Sequence, residues 1–215
     1  MGVRRHYSKL LTQYSKLVSN FCSKRMKILL HICCAPCSIY PFKELLRSAE
    51  HQVKGFYFNP NIHPYQEYLN RRHAAEQYSK TAGVEIIYPE YEPGYFFRKI
   101  IYNENKPARC RLCWQMRLEA TALYARENGF NGFSTTLLIS PYQDHLIIKE
   151  IGQDLSKKFD VEFYYQDFRA GFKESQDEAR SHNLYRQKYC GCIYSEIERF
   201  RKKDYGDLKK ITAIS

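Results

Sequence analysis

Five short β-prone runs, each followed by a segment with helical apolar spacing, constrain this chain more than any other feature. The runs fall at 27–32, 53–58, 84–88, roughly 131–138 and 161–165. Between them, helices are predicted over 38–50 with Ser38 as N-cap, from about 65 to 81 with Gly83 closing, and from Cys110 to about Asn128-Gly129. The third should bury Leu112, Met116, Ala120 and Leu123, and a fourth carries Ile147, Ile151, Leu155 and Phe159 at i+4 spacing. A last helical region contains Cys190 and Cys192, with a break expected at Gly191. The segment 89–107 reads as a long aromatic and basic loop. Strands alternating with helices predict βαβ units and a mostly parallel five-stranded sheet, a Rossmann-like α/β sandwich. Residues 1–25 are basic, with Leu10, Leu11, Tyr14, Leu17, Val18 and Phe21 at amphipathic spacing. They read as an N-terminal helical extension ahead of a single α/β catalytic domain, 26–215.

The sheet matters because seven of the eight cysteines fall in three tight groups: Cys33-Cys34-x-x-Cys37, Cys110-x-x-Cys113 and Cys190-Gly191-Cys192. Cys22 stands apart and has no assigned role. Structural cysteines are spread singly over core positions, so such grouping points to metal or redox chemistry. The sites of parallel sheets lie outside the carboxyl ends of the strands. Cys33, Cys34 and Cys37 follow strand one, Cys110 and Cys113 follow strand three, and 140–144 follow strand four, so one edge should gather them. Four thiolates suit an iron–sulfur cubane. Zinc also takes C-x-x-C pairs, but four zinc ligands leave a surplus of thiols. The C-G-C pair closes a very small ring as a disulfide, which favours a cyclable redox pair; metal binding is its other reading. Asp144, His145 and Asp167 suit either acid–base work or solvated loops, whereas His31 reads as a hydrogen-bonded core residue. No G-x-x-x-x-G-K-[ST] or G-x-G-x-x-G occurs, which argues against an ordinary NTPase or dinucleotide enzyme.

Charge narrows the partner. Lys and Arg number 34 against 23 Asp and Glu, a net +11, beside 19 Tyr and 13 Phe. Such a chain attracts polyanions and offers flat faces to unpaired bases. No apolar run approaches the ~18 residues of a membrane span, and the N-terminus lacks the apolar core of a secretion signal. No membrane partner and a cytoplasmic setting with reduced thiols are expected.

Four stretches together resemble the QueH-type epoxyqueuosine reductases: Leu30-His31-Ile32-Cys33-Cys34-Ala35-Pro36-Cys37, Cys110-Arg111-Leu112-Cys113, 134–142, and Leu184-Tyr185-Arg186-Gln187-Lys188-Tyr189-Cys190-Gly191-Cys192. They span 27 to about 195 in the family's order. The resemblance implies a fold related to the PP-loop (HUP-like) tRNA-modifying enzymes. It also implies cobalamin-independent reduction of epoxyqueuosine to queuosine at the wobble position of a tRNA anticodon, with electrons from an unidentified donor. Carried over by motif, Cys33, Cys34, Cys110 and Cys113 are the ligands of a 4Fe–4S cluster, and Cys190 and Cys192 a redox-active pair. Cys37 could replace a ligand or serve a second iron. On this reading the wobble base stacks on loop aromatics such as Tyr91, Tyr95 or Phe96. Two rivals are a PP-loop-like tRNA thiolation enzyme and a non-catalytic, zinc-stabilised RNA-binding module.

Overall fold

The computed structural model describes residues 26–47 and 51–201. The N-terminal helix expected over 1–25, with Cys22, lies outside the described residues, as do 48–50 of the first helix and 202–215. The elements run β1 (Lys27–His31), α1 (Ala35–Arg47), β2 (Gln52–Phe56), α2 (Tyr65–Ala82), β3 (Ile86–Ile87), α3 (Pro93–Ile100) and α4 (Ala108–Glu127). Then come β4 (Gly132–Thr135), a 3-10 turn (Thr136–Ile139), α5 (His145–Phe159), β5 (Glu162–Phe163), a second 3-10 turn (Arg169–Gly171) and α6 (Phe172–Ser181). Residues 193–201 are helical again.

All five strands are parallel, in the order β3-β2-β1-β4-β5. Central β1 is covered on both faces, with Ile28, Leu29 and Leu30 fully buried, so it reads as a continuous apolar run rather than an alternating one. Ile28 pairs with Val53 on one side and Gly132 on the other. Strand order reverses between β1 and β4, the switch point at which such sheets place their sites. Right-handed crossovers set α1 and α2 on one face and α4 and α5 on the other; accordingly α1 packs on α6, and α4 on α5.

Four local expectations are corrected. Ser38 lies inside α1, its hydroxyl donating to the Ala35 carbonyl at 2.7 Å, because Pro36 in the first turn moves the helix start upstream. The segment 89–107 contains α3, opened by Pro93. The buried face of α4 is rotated from the apolar count: Leu123 is exposed, while Trp114, Arg117 and Thr121 face inward. Finally, Cys190 and Cys192 occupy an irregular stretch between α6 and 193–201 rather than a helix, and Gly191 there has φ +136°.

Helix α5 approaches β5 so closely that a Cβ on Gly152 would lie 2.3 Å from the buried Phe163 ring. Gly152→Ala is therefore expected to destabilise by about 1–3 kcal/mol through overpacking. A urea midpoint no lower than wild type, at unchanged slope, would count against that packing.

Candidate metal and redox site

The chain leaves β1 and turns sharply before α1, and this turn brings the vicinal cysteines together. The sulfurs of Cys33 and Cys34 are 3.8 Å apart, and those of Cys33, Cys34 and Cys37 all lie within 4.8 Å of one another. The 3-10 turn after β4 helps to hold them: the Cys33 N–H donates to the Thr136 hydroxyl at 3.1 Å, and that hydroxyl lies 3.2 Å from the Cys33 sulfur. Hydrogen bonds from Cys34, Cys37 and Thr136 hold the Cys33 thiol well below its ordinary pKa despite burial. Burial pushes Cys34 up, and its contact with Cys33 does the same for Cys37. The three adjacent sulfurs form a soft donor set. Gln187 Nε2 caps the group from above, 2.9 Å from the Cys34 sulfur.

His31 lies beneath as expected of a core histidine, bonded to the Thr135 hydroxyl at 3.0 Å and the Phe58 carbonyl at 3.2 Å. Burial, reinforced by Arg117, lowers its pKa to about 3, so the imidazole is neutral.

Cys110 and Cys113 occupy the first turns of α4 and line a cavity of about 160 Å³ together with Cys190 and Cys192. Burial pushes Cys113 up to about 12 and raises Cys110 too. A larger cavity of about 370 Å³ is lined by Cys33 and Cys37. Cys190, Arg117, Tyr142 and Gln143 line both. The structure therefore joins all three cysteine groups at one sheet edge, but it packs Cys33 and Cys34 closest to Cys37, and Cys110 and Cys113 beside Cys190 and Cys192.

The Cys-Gly-Cys stretch is held from three directions. Buried Arg71 donates to the carbonyls of Tyr189 and Cys190, both at 3.0 Å, while its Nε pairs with Glu67 at 2.8 Å. The Tyr185 hydroxyl donates to the other Glu67 oxygen. The His63 N–H donates to the Gly191 carbonyl at 2.8 Å, and the Ser195 hydroxyl to the Cys192 carbonyl at 2.7 Å. Cys190 is exposed and Cys192 buried.

The carboxylates weighed for acid–base work have structural partners. Asp144 caps α5 through the Ile147 N–H at 3.1 Å. Asp167 is bound by Arg169, which holds its carboxyl at about 2. His145 holds the Ser140 carbonyl at 3.2 Å and so shapes the turn before Gln143, whose Oε1 accepts from Trp114 Nε1 at 2.8 Å.

Of the three aromatics expected to stack on a base, Tyr95 is half-buried. Phe96 is fully buried, and Tyr91 stacks on Tyr68 at 4.0 Å while donating to the Ile62 carbonyl. Tyr142, 83% exposed on the rim of both cavities, is the aromatic that projects there. Sequence reasoning missed it, and missed Arg71, Arg117 and Gln187. The stretches 134–142 and 184–192 contained two of the four, Tyr142 and Gln187, but assigned them no role.

Among solved structures, the chain is similar to a predicted subunit of tRNA methyltransferase from Methanocaldococcus jannaschii, with TM-score 0.48, 12% identity, and 72% of this chain and 76% of that one covered. So distant a likeness bears on neither fold nor function. Curated relatives are much nearer. The chain is 41% identical over 177 residues to the epoxyqueuosine reductase QueH of Dehalococcoides mccartyi, covering 82% of this chain and 96% of that one. It is 35% identical over 209 residues to that of Staphylococcus epidermidis (90% and 86%) and 34% over 185 residues to that of Thermotoga maritima (81% and 93%). A family model described as epoxyqueuosine reductase QueH matches residues 28–198, every cysteine of the site included. The chain belongs to the QueH family of epoxyqueuosine reductases.

Proposed function

We propose that the chain, with 26–215 as one catalytic unit, reduces the epoxide of epoxyqueuosine in a tRNA anticodon to the alkene of queuosine. Two electrons and two protons enter, both C–O bonds of the epoxide break, a C=C bond forms, and the oxygen leaves as water. The observation that carries this reading is the pair of adjoining cavities, walled by three cysteine groups and sharing Cys190. At about 370 Å³ the larger has room for one extruded base. Arg71, Arg117, Lys188 and Arg199 in its walls suit a polyanion. The chain's seven clustered thiols fit an iron–sulfur centre better than a hard cation.

Cys33, Cys34, Cys110 and Cys113 would hold a 4Fe–4S cluster, which supplies single electrons and a Lewis-acidic iron. Cys190 and Cys192 would serve as a dithiol that gives up two electrons and two protons on closing. The exposure of Cys190, on the rim of both cavities, suits a thiol that must be re-reduced by an external donor. A second division is favoured by the packing: the cluster on Cys110, Cys113, Cys190 and Cys192, and a second iron on Cys33, Cys34 and Cys37. Among the described residues no helix is long and apolar enough to cross a membrane; a tRNA substrate and reduced thiols fit a cytoplasmic enzyme.

Anaerobically purified protein is expected to be brown, to hold about four or five irons per chain, and to convert epoxyqueuosine-tRNA when given a low-potential reductant without ATP. Colourless protein with stoichiometric zinc and no turnover would overturn this reading in favour of a zinc-stabilised RNA-binding module. A requirement for ATP would point to thiolation.

A further inference from the structure

Three arginines are almost fully buried against the thiol cavities: Arg71, Arg109 and Arg117. Two of them have carboxylate partners, Glu67 for Arg71 at 2.8 Å and Glu198 for Arg109 at 2.6 Å. Arg117 has none among the described residues. Its Nε–H donates to the Cys113 carbonyl at 3.1 Å, and its Nη2 is buried with no acceptor. A desolvated cation is tolerated only where opposite charge faces it. His31, on which Arg117 acts electrostatically, is neutral. The groups whose ionisation would be felt at Arg117 are the thiols themselves, Cys113, Cys190 and Cys33, drawn from all three cysteine groups. Among the described residues Arg117 is also the one arginine that lines both cavities.

We propose that Arg117 is the shared counter-charge of the site. Its guanidinium balances the thiolates and the iron–sulfur centre they carry, and thereby raises that centre's reduction potential. The proposal rests on the iron–sulfur reading but not on either division of the ligands, because Arg117 faces both cavities. Net charge and hydrogen bonding around a cluster are established determinants of its potential. A buried positive charge favours the reduced, more negative state, so its removal shifts the potential downward. As Arg117 is placed here without contact to substrate, it is a positioning residue.

The test compares Arg117→Gln and Arg117→Lys by anaerobic spectroelectrochemical titration of the iron-loaded full chain. Arg117→Gln should shift the midpoint to more negative potential or lose iron, and Arg117→Lys should stay near wild type because it keeps the charge. An intact cluster with unchanged potential in Arg117→Gln would overturn the proposal. A melt of the chelator-treated chain covers the case in which Arg117→Gln fails to load. Without iron, removing an unpartnered buried cation should leave the melting temperature no lower than that of metal-free wild type. A lower value would mean that Arg117 is only a scaffold residue holding the Cys113 carbonyl, and would also overturn the proposal. Failure of the iron–sulfur reading looks different: wild-type protein would then bind no iron at all.

Discussion

Serine at Cys190 is expected to leave the iron content and visible spectrum of the anaerobic enzyme intact while abolishing multiple-turnover reduction of epoxyqueuosine-tRNA. Serine at Cys192 should do the same, since one remaining thiol cannot close a ring. Serine at Cys110 or Cys113 should instead bleach the chromophore. The contrast follows from position. Cys110 and Cys113 are fixed in the first turns of α4 and buried wholly or in part, whereas Cys190 is exposed on a loop between two cavities. After one turnover, Cys190 and Cys192 should resist alkylation until reductant is added, because a strained, accessible disulfide is the kind that cycles. The second division of the thiols predicts otherwise: each serine at 190 or 192 would lower iron per chain. Iron content of the two variants decides between them in a single measurement.

Arg71→Met is expected to cost about 3–5 kcal/mol of stability, because it strands the Glu67 carboxylate in the interior. It should also lower reduction of the tRNA substrate by about 100-fold, the scale on which small misplacements of reacting groups act. The guanidinium holds the carbonyls of Tyr189 and Cys190, and without it the thiol loop loses its anchor to α2. The double variant Glu67→Gln/Arg71→Met separates the two effects. It removes the stranded charge, so urea unfolding should recover most of the stability while activity stays low. Recovery of both would show that Arg71 acts on the loop only through global stability.

The sheet was legible in the sequence because parallel strands buried on both faces announce themselves: Ile28, Leu29 and Leu30 leave no room for an alternating reading. Strand ends were harder. The run at 131–138 read as one β-prone stretch, but only 132–135 pairs in the sheet, and the chain then tightens into a 3-10 turn capped by the Thr135 hydroxyl. The rotated face of α4 was hidden for a different reason. Its interior positions include Arg117 and Thr121, polar residues that an apolar count assigns to solvent. The cysteines were visible as chemistry from their spacing alone. How they group was not, since that depends on a turn after β1 and on the α2 arginine that reaches residues 118 and 119 positions away.

The hydrogen bond from the Cys33 N–H to Thr136 joins residues 103 positions apart, and the β1–β4 pairing beneath it, such as His31 with Thr135, joins residues 104 apart. This separation orders events during synthesis. A growing chain that has reached only β3 carries Cys33, Cys34 and Cys37 beside an open sheet edge, with the other four thiols not yet made. Contacts between such distant residues form after local helices, because the intervening loop must first be closed. A cluster on Cys33, Cys34, Cys110 and Cys113 would therefore have its four ligands once translation has passed Cys113, whereas one on Cys110, Cys113, Cys190 and Cys192 would have to wait until it has passed Cys192.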